Sequence, residues 1–186
     1  METENTTKKK TTTSSTKKSS KSTTAKSTKA TADDAPIVVK EISPDEYVVV
    51  RNGFQGKLIY VSPRTRERFV WNNFGDEQEM TLRELRSARN SCKGFFKNNW
   101  FMFDEPWIID YLSVKNFYRN AIPLNEFDNV FTKSPEEITE LLGKLSAGQK
   151  QSLSYRAREL IRTEVIDSRK VIAALEKGLG VELIER

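Results

Sequence analysis

Twelve of the chain's eighteen aromatic residues fall between Phe69 and Tyr118, all three tryptophans, Trp71, Trp100 and Trp107, among them. Large rings remove more apolar area from water than any other side chains, and Trp and Tyr carry a polar tip that also needs a partner. Wherever this stretch folds, the rest of the chain has to pack around it. It marks either the centre of a small core or a docking surface.

The first 32 residues are of the opposite kind. They hold eleven threonines, six serines and eight lysines against two glutamates, with no aromatic residue and no Val, Ile or Leu. Such a segment buries too little apolar surface to offset the entropy of ordering, so residues 1–34 are expected to be a disordered tail. Residues 1–32 carry +6 of a total of +5, which leaves the remainder at about −1. Lysines such as Lys8, Lys9, Lys10, Lys17 and Lys18, spaced by small hydroxyl residues, attract phosphate backbones or acidic protein surfaces without reading sequence. A solubilising spacer has the same composition. No apolar signal core or Arg-rich presequence pattern is present, and no run is long enough to cross a bilayer. A single cysteine rules out an internal disulfide framework and fits a reducing compartment.

Ordered sequence is expected from Ile37-Val38-Val39. Glu46 to Arg51, Lys57 to Val61 and Glu67 to Trp71 are β-rich and separated by turn residues, Asn52-Gly53 first and Ser62-Pro63-Arg64-Thr65-Arg66 second. Residues 35–75 therefore predict a small antiparallel β-meander, which needs a cover on its apolar face. The cover is expected within residues 76–131, an aromatic-rich helical region. Thr81 with Glu84 three residues on predicts a capping box, with Asp76, Glu77 and Glu79 favourably placed before a helix N-terminus. At helical spacing Leu85, Ala88, Cys92, Phe95 and Phe96 share one arc, and Arg83, Arg86, Arg89, Asn90, Lys93 and Lys97 the next. That basic edge, above all Arg83, Arg86, Arg89 and Lys93, is the candidate nucleic-acid contact of the folded part. An ordinary solvated helix face reads the same way.

Asp104-Glu105-Pro106 predicts a further short helix carrying Trp107, Ile108, Tyr111 and Leu112, followed by short pieces up to Phe131. Residues 134–186 predict a three-helix unit. Ser134-Pro135-Glu136-Glu137 and Ser146-Ala147-Gly148-Gln149 open two helices, and a third starts near Asp167-Ser168 and stops at Gly178 and Gly180. Mixed charges on the last helix favour a protein-facing bundle over a groove-reading one. The fold class is thus α+β: a meander packed with helices, then three helices, preceded by the basic tail.

The chain contains no histidine, so the commonest general base and metal ligand is missing. One cysteine makes no zinc site, and no phosphate-cradling glycine motif occurs. Asp104, Glu105 and Asp110 cluster in sequence, where a hard cation could use them, but helix capping explains the first two more cheaply. No catalytic residue, metal or cofactor is expected, and no enzyme.

The runs Arg51-Asn52-Gly53-Phe54-Gln55-Gly56-Lys57-Leu58-Ile59-Tyr60, Glu67-Arg68-Phe69-Val70-Trp71, Asn98-Asn99-Trp100-Phe101-Met102-Phe103 and Trp107-Ile108-Ile109-Asp110-Tyr111-Leu112 resemble small proteins that tailed bacteriophages encode beside their structural genes. The resemblance covers most of residues 37–186 and includes no diagnostic motif. It implies a virion component or assembly accessory, in the virion or the host cytoplasm. Other structural proteins would be its partners, and the tail would face DNA or an acidic surface. Trp100, Phe101, Phe103 and Trp107, whose helical phase the sequence does not fix, are the candidate protein-contact residues. A nucleic-acid-binding accessory or regulatory protein is the competing expectation.

Overall fold

The computed structural model describes residues 42–184. The expectations for the tail, Lys8, Lys9, Lys10, Lys17 and Lys18 included, lie outside them. Within the described residues the class is α+β, with antiparallel strands packed against helices.

Five strands form: β1 (Tyr47–Asn52), β2 (Leu58–Val61), β3 (Arg68–Trp71), β4 (Glu77–Thr81) and β5 (Phe101–Met102). They do not pair in sequence order. β1 is central between β4 and β5, with Tyr47 opposite Thr81 on one side and Asn52 opposite Phe101 on the other. β2 and β3 form a separate hairpin, Leu58 opposite Trp71. The expected consecutive meander is corrected by Asn52. Its buried side chain donates to Gly56 O and Asn73 O, both at 2.8 Å, and accepts from Phe54 N. These bonds hold the chain leaving β1 as a loop instead of a tight hairpin. The next residue, Gly53, gives its N–H to Trp100 O at 2.8 Å, and a Cβ there would lie 2.1 Å from Asn99 O. Only glycine permits that approach.

Glu77 and Glu79 belong to β4, where the sequence suggested residues preceding a helix. Their side chains point to solvent while Met80 points inward, the two-residue alternation of a half-buried strand. On the inner side Val48, Val50, Leu58, Tyr60, Phe69, Trp71 and Met80 meet, and α1 (Leu82–Ser91) and α2 (Gly94–Lys97) close the core with Leu82, Leu85, Ala88 and Phe96. Two bonds tie the hairpin to the sheet. Trp71 Nε1 donates to Val50 O at 2.9 Å, and Gln78 Nε2 donates to Val70 O at 3.1 Å.

Two short helices, α3 (Pro106–Tyr111) and α4 (Lys115–Tyr118), wrap this core, α3 through Ile108 and α4 through the partly buried Phe117 and Tyr118. Two 3-10 turns at Leu124–Glu126 and Asp128–Thr132 lead to the expected three helices. These are α5 (Pro135–Lys144), α6 (Ala147–Arg162) and α7 (Arg169–Leu179). They share a second core of Ile138, Leu142, Leu153, Ala157, Ile172 and Leu175 with Phe127 and Val130. Ser134 and Glu137 form the expected capping box, and Gly180 ends α7 in the left-handed conformation at φ 71°.

Candidate interaction surfaces

Of the expected basic edge, Arg83, Arg86 and Arg89 fall on α1, each with a partner within the fold, while Lys93 and Lys97 lie beyond the helix end at Ser91. Arg83 pairs with Asp45 at 2.8 Å, Arg86 stacks over the Tyr111 ring at 4.4 Å, and Arg89 donates to Leu112 O at 2.8 Å. These contacts hold the segment before β1 and the end of α3 against α1. Lys93 is exposed where α1 gives way to α2. The stripe therefore acts first as a set of clamps.

The aromatic quartet divides. Phe101 is fully buried, ringed by Tyr60, Trp71, Phe95 and Phe96 at centroid distances of 4.7–5.6 Å. It is a core residue, which corrects its assignment to a contact surface. It falls on a strand pairing with β1, a position helical phasing does not reach. Phe103 is half-buried between Phe96 and Tyr118. Trp107 is half-buried beside Tyr111, and its indole N–H donates to Glu105. Trp100 is also half-buried, edge-on to Phe54 and Phe95. Its enclosed indole N–H has no acceptor among the described residues.

The expected capping box at Thr81 forms by half. Thr81 Oγ1 accepts from Glu84 N, while the Glu84 carboxylate accepts from Tyr60 Oη at 2.8 Å and from Arg64 at 3.1 Å. Glu84 is 3 % exposed, so the hydroxyl and guanidinium offset its desolvation. Burial and this bond push the Tyr60 phenol far above its ordinary range, and burial does the same to Tyr118. The network floors an open cleft of about 400 Å³ whose walls carry Asp45, Glu67, Glu79 and Arg83. Glu105 occupies the N-cap position of α3 before Pro106, as expected, but neither its side chain nor that of Asp104 makes a capping hydrogen bond. Asp104 pairs with Arg51 at 2.6 Å and raises its pKa, and Glu105 receives the Trp107 N–H.

Sequence reasoning missed the seam between the two cores. Gln149, 2 % exposed, donates to Ile122 O at 3.0 Å and accepts from Ile122 N at 3.1 Å. Ser152 donates to Gly53 O at 3.0 Å and accepts from Gln55 N. Between them Gly148 lets α6 cross the chain at Asn98, where a Cβ would lie 2.2 Å from Asn98 O. The available signal was a helix whose first turns put Gly, Gln and Ser on the side that later carries Leu153 and Ala157. Beside the seam an open groove of about 790 Å³ runs past Arg51, Phe74, Met102, Phe103 and Leu124.

Exposed large apolar side chains occur on β1 and β2 and also at Ile42, Tyr155, Val165, Val181 and Ile184. Tyr47 and Val49 of β1 are 67 % and 37 % exposed, and Ile59 and Val61 of β2 are 39 % and 48 % exposed. Among the described residues no three acidic or cysteine side chains stand together as a metal site, and no helix is long and apolar enough to cross a membrane. No protein-family model, curated protein or solved structure matches the chain.

Proposed function

We propose that this chain is a non-enzymatic interaction protein, a virion-associated or assembly accessory of a tailed bacteriophage. In this reading the folded body docks on other structural proteins and the lysine tail contacts DNA or an acidic partner, in the virion or the host cytoplasm. The observation that carries the docking role is the division of labour among side chains. The buried rings of the 69–118 stretch and the α1 arginines are spent on the fold, while Tyr47 and Val49 of β1 and Ile59 and Val61 of β2 face outward. Such exposed apolar strand residues are what a protein partner covers. The near-neutral body and the absence of histidine support a role without acid–base chemistry. The phage setting is supported by the resemblance of residues 37–186.

Tagged full-length protein recovered from cells making the particles is expected to retain structural proteins through high-salt washing. Recovery of the chain alone, as a monomer, in low and high salt would overturn the proposal. The tail contributes a separate, salt-sensitive attraction to DNA or an acidic surface.

A further inference from the structure

β2 has one open side. Ser62 N donates to Glu67 O at 2.8 Å across the hairpin turn. Counting back from that bond, Tyr60 with Phe69 and Leu58 with Trp71 are the hydrogen-bonded pairs of the ladder. Ile59 and Val61 therefore turn their N–H and C=O groups away from β3. No backbone hydrogen bond from another described residue reaches them. Open edges in native proteins are commonly guarded by Lys, Pro, a bulge or an inward charge. Leu58-Ile59-Tyr60-Val61 has none of these, and its two outward residues are β-branched and partly exposed.

Charge narrows what the edge accepts. Lys57 stands at one end, and at the other the turn exposes Arg66, with Arg68 exposed at the start of β3, neither arginine in an ion pair among the described residues. Arg64 is neutralised by Glu84, which leaves Glu67 as the opposing carboxylate of the turn. A second copy joined through the same edge would set Ile59 of one copy against Val61 of the other. Lys57 would then meet the arginine turn of its neighbour, like charge against like. We propose that the open edge of β2 takes, by strand addition, an extended segment of another protein with a β-branched apolar centre and acidic residues on both flanks. This rests on the interaction reading and deepens it. Ile59 and Val61 each supply one N–H and one C=O, which give affinity, and the basic ends select acidic flanks and exclude basic ones.

The test uses the full chain, isotope-labelled, and a synthetic peptide with a Val-Thr-Ile-Val centre between Asp-Glu flanks. At saturation the peptide is expected to slow hydrogen exchange of the Ile59 and Val61 amides by about tenfold or more. The same centre between lysine flanks is expected to leave them unchanged. Ile59→Lys, on an exposed position, and Ile59→Pro, which removes an outward-facing donor without taking a bond from β3, are each expected to abolish the protection of the Val61 amide. Protection confined to other residues, as when the lysine tail alone captures the peptide, overturns the proposal. So does equal protection by the lysine-flanked peptide. Protection that rises with protein concentration in the absence of peptide, with a doubled mass, assigns the edge to a second copy and overturns it too. If the peptide fails while the chain still co-purifies with structural proteins, strand addition is wrong and the interaction reading stands.

Discussion

Gln149 holds both backbone groups of Ile122 with one side chain, so its removal exposes two buried polar groups at once. Gln149→Leu is expected to destabilise by about 2–4 kcal/mol in urea denaturation, because each abandoned group costs about 1–3 kcal/mol. The tryptophans predict a contrast. Trp71→Phe loses the bond to Val50 O and leaves a void in a fully buried site, and should cost about 2 kcal/mol or more. Trp100→Phe removes an indole N–H that has no acceptor among the described residues, and should cost less than Trp71→Phe in the same assay. Equal losses would contradict the assignment of hydrogen bonds. Tyr60 and Tyr118 set the alkaline limit. Their folded pKa values lie above the unfolded value of ~10, so the neutral phenols stabilise the fold fully below that pH. Stability falls as pH rises beyond it, and their tyrosinate absorbance should grow together with the loss of near-ultraviolet dichroism. On α1, Leu85 and Ala88 were readable from helical spacing. Gln149, Ser152 and Asn52 were not, because their partners lie 27, 99 and 21 residues away in the chain.

Among the elements, helices with local punctuation were legible and strands with distant partners were not. Ser134-Pro135-Glu136-Glu137 encodes its own cap, and α5 begins there. The Ser134 hydroxyl and backbone N–H hold the Glu137 carboxylate below its ordinary pKa. Its unfolded value is ~4.3, so the cap stabilises α5 above that pH and is lost as pH falls through the lower folded value. Ser134→Ala should therefore lower the midpoint of thermal unfolding at neutral pH and narrow the difference from wild type in acid. β4 escaped detection because Glu-Gln-Glu before a capping threonine reads as a helix approach, and its strand character comes from β1, thirty residues upstream. β5 is two residues long and has no periodicity of its own. The outward edge of β2 was likewise hidden, since an alternating strand does not announce which of its sides lacks a neighbour.

At the scale of the whole described body, the two cores are joined by side-chain hydrogen bonds and a close glycine crossing at α6. Gly148→Ala should push α6 from Asn98 and cost about 1–3 kcal/mol or more, measured by urea denaturation. If the seam joins the cores into one cooperative unit, the probes near Trp71 and those on α7 should lose signal together. The α+β class and the C-terminal helices were written in composition and caps. The pairing of β1 with β4 and β5 was written only in three dimensions, in the bonds of Asn52 and Gly53. Whether the outward strands serve a protein partner is tested most directly by gradient sedimentation of lysate from cells producing particles. Wild-type chain is expected in the particle fractions, with Ile59→Lys shifted toward the top of the gradient. Wild-type chain remaining at the top as free monomer, with no structural protein alongside it, would contradict the account.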